Sequence, residues 1–170
     1  MEIGRIRLAL SEADFEEARV LSRAWVDWHL KTFPDMRDIT LTYFKPVEYE
    51  ETLAALHIVH ARPKGAVLLA DLGGPAVGCV MYLQDEPDVA EIKRFFVDEA
   101  GRGHGLGRKL LEAMFDQMRK DGYQKVRFSS GLELTHARRL YESLGFEDIP
   151  MPADYPGEFA ELDYFMEREL

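Results

Sequence analysis

The spacing of apolar residues changes along the chain between a period of two and a period of three to four. Short alternating or apolar runs predict strands, and these runs cover residues 3–10, 66–71, 76–83, 89–97, 125–129, 146–149 and 160–168. Helical spacing predicts four helices, at residues 11–32, 47–60, 106–120 and 133–144. Strands and helices therefore share the chain from end to end.

Turn and capping residues set the limits of these elements. Ser11 followed by Asp14 predicts the start of the first helix, and Gly145 predicts the end of the last one. Pro34 and Pro46 predict an irregular segment over 33–46. No repeat or linker interrupts the pattern. We therefore expect one α/β (α+β) domain over residues 1–170, with a mixed, mostly antiparallel sheet flanked by helices.

A glycine-rich segment, Arg102-Gly103-His104-Gly105-Leu106-Gly107, lies between a predicted strand and a predicted helix. The helix buries one apolar face, formed by Leu106, Leu110, Leu111, Met114, Phe115 and Met118. A strand, a glycine turn and a helix in this order direct free backbone N–H groups and the positive end of the helix dipole at one spot. The alternative is a flexible turn without a ligand. Three alternating glycines beside Arg108 and Lys109 favour an anion site.

The spacing of the glycines excludes two common phosphate loops. A P-loop ends in Gly-Lys-Ser or Gly-Lys-Thr, whereas Gly107 is followed by Arg108 and Lys109. The dinucleotide fingerprint needs the spacing G-x-G-x-x-G, which fails whether it is started at Gly101 or at Gly103.

Composition limits the cellular compartment and the classes of binding partner that the sequence predicts. The formal net charge of -10 disfavours nucleic acid and favours cationic small molecules such as amines. No apolar run approaches the ~20 residues of a membrane helix, and no leader-like apolar stretch follows Met1. The single cysteine, Cys79, excludes a disulfide framework and is expected to be a buried thiol. We expect a cytoplasmic protein, and assembly into a homodimer stays open.

Two motifs together resemble the GNAT-type N-acetyltransferase superfamily. Arg102, Gly105 and Gly107 match the family's pattern of Arg or Gln, two residues, Gly, one residue, and Gly or Ala. The segment 137–146, Ala-Arg-Arg-Leu-Tyr-Glu-Ser-Leu-Gly-Phe, matches its A-x-x-L-Y-x-x-L-G-F helix and strand. The order of elements agrees over nearly the whole chain.

The resemblance implies acetyl-coenzyme A as the acyl donor and a sheet splayed between its fourth and fifth strands. The pantetheine arm would enter that wedge and pair with the backbone of the fourth strand, as an added strand does. The implied cofactor-binding residues are Phe95, Phe96, Val97, Arg102, Gly103, His104, Gly105, Leu106, Gly107 and Arg108. One departure is Leu134, where many members carry an asparagine that touches the pantetheine; Thr135 is a substitute for that amide.

Glu91 and Tyr141 are the candidate catalytic residues. Glu91 lies on the fourth strand, where several family members carry a catalytic glutamate, and is the candidate general base. The alternative interpretation is that Glu91 is a solvent-exposed strand residue that forms an ion pair with Lys93 or Arg94. Tyr141 matches the family tyrosine and is the candidate acid for the leaving thiolate; its alternative is a packed helix aromatic.

The acceptor pocket and the histidines are less determined by the sequence. The family builds the pocket from the region after the first helix and the crossing before the last strand, which here hold Trp25, Trp28, His29, Tyr43, Phe44, Asp154, Tyr155 and Glu158. His57 and His60 have a spacing that permits a metal pair, but no third ligand is evident, so no metal is expected. We expect both to lie at the surface or at a pocket rim.

The sequence predicts an acetyl-coenzyme A-dependent N-acetyltransferase that acts on the primary amine of a small molecule or an amino-acid-like acceptor. Two other functions stay open. One is a non-catalytic acyl-coenzyme A-binding module on the same fold. The other is acetylation of a protein or peptide amine.

Overall fold

The computed structural model describes residues 3–170, which form one seven-stranded sheet flanked by helices. The strands are β1 (Arg5–Leu8), β2 (Ala66–Asp71), β3 (Ala76–Glu86), β4 (Val89–Val97), β5 (Lys125–Gly131), β6 (Glu147–Asp148) and β7 (Asp163–Glu169). The helices are α1 (Glu12–Thr32), α2 (Arg37–Phe44), α3 (Pro46–Ala54), α4 (Leu56–Val59), α5 (Leu106–Lys120) and α6 (Thr135–Ser143).

The strand order across the sheet is β1-β2-β3-β4-β5-β7-β6. All neighbouring strands run antiparallel except β4 and β5, which are parallel because α5 crosses between them. The prediction of a mixed, mostly antiparallel sheet is confirmed.

Both faces of the sheet are covered, because side chains alternate between the two faces of a strand. On β2, Ala66, Leu68 and Ala70 pack into a core with the apolar face of α5. Val67 and Leu69 pack into a second core with residues of α1, α3 and α4. The helices therefore enclose the sheet on both sides, and all six residues of β2 are buried.

The start of α1 follows the sequence prediction. The Ser11 hydroxyl accepts the Asp14 N–H at 3.1 Å, and the Asp14 carboxylate accepts the Ser11 N–H at 3.0 Å. This reciprocal capping box satisfies two backbone donors that would otherwise lack partners.

Two predictions about the segment after α1 are wrong. Residues 33–46 are not irregular: Pro34 opens a 3₁₀ turn, and α2 follows it directly. Pro46 begins α3, where its missing N–H costs nothing because a first-turn N–H has no partner within the helix. The single helix predicted over 47–60 is divided at Ala55 into α3 and α4.

Candidate active site

The strands β4 and β5 separate after a short paired stretch. Val89 to Glu91 pair with Lys125 to Arg127, and no pair between the two strands follows among the described residues. Beyond Glu91, β4 pairs only with β3. A β-bulge bends β4 further. Its residues Ile92 and Phe95, three positions apart, pair with Tyr82 and Val80 of β3, which are only two positions apart. The predicted splay between the fourth and fifth strands is confirmed.

The loop between β4 and α5 holds two glycines in the left-handed region. Gly103 has φ +79° and Gly105 has φ +69°, a conformation that costs other residues about 1–2 kcal/mol. Gly105 is also the N-cap of α5, and no side chain caps that helix. The first-turn N–H groups of α5 are consequently free to bind an anion.

A groove of about 910 Å³ runs from this loop along the end of β4 to α6. Nine of the ten residues implied as cofactor-binding line it; the tenth, His104, is exposed outside the lining. Trp28 and Phe33 form part of its wall, and the guanidinium of Arg102 lies 5.3 Å from the Trp28 ring centre. The sequence assigned Trp28 to the acceptor pocket, but the structure places its side chain in this groove.

A smaller cavity of about 130 Å³ lies between α1, α2 and the wedge. Trp25, Tyr43, Phe44 and Phe159 are among the aromatic residues that line it. The groove and the cavity have five lining residues in common, namely Trp25, Phe95, Glu133, Leu134 and Ala137. The two spaces therefore meet between the separated strands.

A buried polar network lies against the cavity. The Nε2 atom of His29 is 2.7 Å from Oε1 of Glu133, and its Nδ1 atom is 3.0 Å from Oγ1 of Thr40. His29 and Thr40 are buried, and the Glu133 side chain is 16% exposed. Three elements contribute one residue each: α1, α2 and the loop after β5.

Asp163, at the start of β7, also lines the cavity and accepts a hydrogen bond from the Tyr155 hydroxyl. Burial raises the pKa of Asp163, and the charge of Glu133 raises it further, whereas the hydrogen bond from Tyr155 lowers it. The cavity thus carries two carboxyl groups, those of Asp163 and Glu133.

Tyr141 projects from α6 into an aromatic cluster and lines the cavity. Its ring centre is 4.1 Å from that of Phe128 and 5.9 Å from that of Phe95. Burial raises the pKa of Tyr141 well above its usual value of 10. The hydroxyl is therefore neutral over the physiological range, as a proton donor must be.

Glu91, the candidate general base, forms an ion pair with its neighbour on the strand. Its carboxylate is 2.9 Å from the Lys93 ammonium, and neither the groove nor the cavity counts it among its described lining residues. Glu91 lies where β4 and β5 are still paired, before the wedge opens. The ion pair with Lys93 corresponds to the alternative weighed from the sequence.

Several pocket and histidine expectations are corrected by the structure. Asp154 and Glu158 are exposed and, like Tyr155, lie outside the cavity lining; the crossing before β7 contributes Phe159 and Leu162 instead. His60 is not at the surface: it is 2% exposed, and its Nδ1 lies 2.8 Å from the Tyr82 carbonyl. Burial lowers the pKa of His60 to about 4.

Glu133, Thr40 and Asp163 are cavity residues that the sequence did not single out. In the sequence Glu133 has the features of an ordinary turn residue. Its place in the polar network depends on a contact with His29, which is 104 positions away. Thr40 lies in the segment 33–46, which was expected to be irregular, so no sequence pattern indicated where its side chain lies. A signal existed only for Asp163, whose polar side chain directly precedes the buried residues Tyr164, Phe165 and Met166 of β7.

The described part of the chain contains neither a helix that could span a membrane nor a cluster of metal ligands. Over residues 3–170, no helix is long and apolar enough to cross a membrane. Within the same range, no group of three or more His, Cys, Asp or Glu side chains is arranged to hold a metal ion.

Comparisons with known proteins agree with this architecture. Residues 23–146 match the model of the Acetyltransferase (GNAT) family. An IAA acetyltransferase of Azospirillum brasilense is 32% identical over 111 residues, which is 65% of this chain and 71% of that protein. An uncharacterized N-acetyltransferase of Escherichia coli (strain K12) is 29% identical over 124 residues, or 71% of this chain and 74% of that protein.

Solved structures share the fold over its full extent. An acetyltransferase of Streptococcus agalactiae superimposes with a TM-score of 0.73 at 18% identity and covers 100% of both chains. A PaiA N-acetyltransferase of Thermoplasma acidophilum, in complex with coenzyme A, gives a TM-score of 0.72 at 16% identity over 98% of this chain and 99% of that chain. The splayed sheet, the glycine loop before α5 and the family match over residues 23–146 lead to one conclusion: the chain is an acyltransferase of the Acetyltransferase (GNAT) family.

Proposed function

We propose that this protein transfers an acetyl group from acetyl-coenzyme A to the primary amine of a small acceptor. The observation that carries the proposal is the wedge between β4 and β5, where an anion-binding groove meets a small aromatic cavity. A donor in the groove and an acceptor in the cavity would meet at this junction.

The groove fits a long donor with a phosphorylated end. The free amides of the first turn of α5 suit a pyrophosphate, and Arg102 and Arg108 add positive charge beside them. The β5-facing edge of β4 near Phe95 and Val97 lacks a strand partner among the described residues, so it can pair with a pantetheine amide. Leu134 supports that arm by apolar contact in place of an amide.

Acetyl-coenzyme A supplies a thioester whose acyl carbon exchanges its bond to sulfur for a bond to nitrogen, and the sulfur leaves as a thiolate. Tyr141 would donate its hydroxyl proton to that thiolate. A backbone N–H near Phe95 would stabilise negative charge on the acyl oxygen. The sole cysteine is an unsuitable nucleophile, since Cys79 is fully buried and burial raises its pKa to about 12.

The cavity favours a compact amine over a peptide. Its volume of about 130 Å³ is close to the ~150 Å³ of an apolar cavity that holds one benzene molecule. Aromatic walls from Trp25 and Tyr43 can contact a cationic head group, and Glu133 and Asp163 provide carboxyl groups. We therefore propose a small primary amine whose buried part is about the size of a benzene ring.

The test is release of coenzyme A thiol from acetyl-coenzyme A in the presence of a panel of primary amines. The panel runs from methylamine through benzylamine to amino acids and a short peptide. We expect turnover to peak with compact amines and to be lowest with the peptide. Acetyl-coenzyme A binding without turnover of any amine would favour the non-catalytic binding module, and preference for the peptide would favour protein acetylation.

A further inference from the structure

A glutamate and a histidine are hydrogen-bonded to each other at the wall of a largely enclosed cavity. Burying polar groups in such surroundings costs free energy unless they are hydrogen-bonded, so the network of Glu133, His29 and Thr40 is a built arrangement. When Glu133 is a carboxylate it only accepts hydrogen bonds, so the Nε2–H of His29 donates the hydrogen bond to Oε1 of Glu133. The Thr40 hydroxyl, 3.0 Å from Nδ1, then holds the ring in this orientation.

This network leaves one carboxylate oxygen of Glu133 available. His29 engages Oε1, and over residues 3–170 no hydrogen bond to Oε2 is formed. Glu133 is also one of the five residues that line both the groove and the cavity. The free oxygen therefore belongs to a residue at the junction where donor and acceptor would meet.

The backbone beside Glu133 is fitted closely to its carboxylate. A Cβ atom added to Gly131 would lie 2.4 Å from both Oε1 and Oε2 of Glu133, which is closer than real contacts allow. Glycine at this position is what permits the carboxylate to sit between His29 and the cavity. A side chain at residue 131 would displace the flexible carboxylate without a need for the backbone to move.

We propose that Glu133 binds the ammonium group of the acceptor and takes its proton, and that His29 and Thr40 are positioning residues. In this step one N–H bond of the ammonium breaks and one O–H bond forms on Oε2 of Glu133. The electron pair stays on nitrogen, which is then a neutral nucleophile. The inference rests on the acetyl transfer proposed above, and it assigns the general-base role to Glu133 in place of Glu91.

The need for such a base is large at neutral pH. An alkyl amine with a pKa of about 10.4 is neutral in only about one molecule in two thousand at pH 7. A positioned base contributes roughly 10²–10⁴-fold to such a proton transfer. Several titratable groups face Glu133 from the elements around the cavity: His29, Tyr43, Lys93, Tyr141 and Asp163. Burial raises the pKa of Asp163, the other carboxyl group of the cavity.

The test compares Glu133→Gln with Glu91→Gln, using the best amine of the panel and benzylamine as a common probe. For Glu133→Gln we expect kcat/KM for the amine to fall about 100-fold at pH 7. The loss should shrink toward pH 10, because a neutral amine no longer needs a base. KM for acetyl-coenzyme A should stay within two-fold of its original value.

Two further variants test the positioning. Gly131→Ala should lower kcat/KM about 10-fold, because the added Cβ displaces the carboxylate of Glu133. Thr40→Val should lower kcat/KM about 5-fold, because the His29 ring loses its hydrogen bond. In both variants kcat/KM should recover at high pH, as in Glu133→Gln. Glu161→Gln and Gly157→Ala are matched controls, because Glu161 is exposed and a Cβ added at Gly157 meets open space. A merely structural role would lower the rate equally at every pH.

A binding measurement separates this inference from the proposed function. Calorimetry of benzylamine binding to the protein saturated with coenzyme A, which cannot react, should show at least 10-fold weaker binding in Glu133→Gln. The inference would be overturned if Glu91→Gln showed the pH-dependent loss of kcat/KM while Glu133→Gln kept its rates and its amine affinity. Acetyl transfer itself would then still stand. A wild-type protein that binds coenzyme A but acetylates no amine would overturn the proposed function itself.

Discussion

The groove and the cavity meet at five shared residues but are built in opposite ways. The loop of the groove comes from one continuous stretch, Gly101 to Arg108, set between β4 and α5. The cavity draws its walls from α1, α2, β4, β5, α6 and the segment before β7. The loop proposed to bind the phosphates of the donor is thus a local structure, whereas the proposed acceptor site exists only once distant segments have packed together.

This difference determines what each region tolerates. A local loop depends on the backbone conformation of a few residues, so a single Cβ can disturb it. An assembled cavity depends on the packing of several side chains, so its polar groups can be changed one by one while the walls remain. Variants of single residues can therefore affect one region and spare the other.

The largest effect is expected at Tyr141, which lines the cavity next to the shared residue Phe95. Tyr141→Phe keeps the ring that packs on Phe128 and removes only the proposed proton donor. Loss of a general acid costs roughly 10²–10⁴-fold, so we expect kcat to fall at least 100-fold while acetyl-coenzyme A binding is unchanged. Steady-state kinetics and calorimetry measure the two quantities.

Tyr123→Phe is the matched control, because the Tyr123 hydroxyl bonds the Lys64 carbonyl away from both spaces. It should leave kcat unchanged. Since burial raises the pKa of Tyr141, the wild-type kcat should also show no decline attributable to this group below pH 10. Normal kcat in a folded Tyr141→Phe protein would remove Tyr141 from the mechanism.

An intermediate effect is expected from the local region alone. Gly105→Ala places a side chain at φ +69°, which costs about 1–2 kcal/mol in the conformation that presents the α5 amides. We expect KM for acetyl-coenzyme A to rise about 10-fold, with amine KM unchanged. Gly122→Ala carries the same kind of strain at φ +93° beyond the far end of α5. It should lower thermal stability but not alter either KM; an equal rise of KM in both variants would argue against a phosphate-binding loop.

The smallest effect is expected from a surface charge of the groove. Arg102→Gln removes an exposed cation beside the glycine loop, so KM for acetyl-coenzyme A should rise about three-fold at 50 mM salt. The difference should disappear at 500 mM salt, because screening shortens the range of the interaction. Arg119→Gln, at the opposite end of α5, should show no change at either salt concentration. A salt-independent loss would point to packing against Trp28 as the role of Arg102.

The same contrast explains how much the sequence could reveal. The glycine loop, the apolar face of α5 and the segment 137–146 are each contiguous, so spacing predicted their elements, and the resemblance of two of them to known motifs indicated the family. The capping box at Ser11 is equally local, and it is present as expected.

The assembled cavity could not be predicted in this way. Pro34 and Pro46 were interpreted as breaks, although proline is also favoured in the first turn of a helix, and α2 lies between them. Glu133 acquires a role only through its contact with His29, and no local pattern records a contact over 104 positions. The family resemblance pointed to Glu91, and the sequence could not show that β4 still pairs with β5 at this residue.

The meeting of two separately lined spaces has a kinetic consequence. Because the groove and the cavity have mostly different linings, an acceptor need not wait for the coenzyme to depart before it binds. Both substrates can be resident together, and the acetyl group can pass between them in one encounter. Double-reciprocal plots at several fixed amine concentrations should then intersect, whereas parallel lines would indicate an acetylated form of the protein.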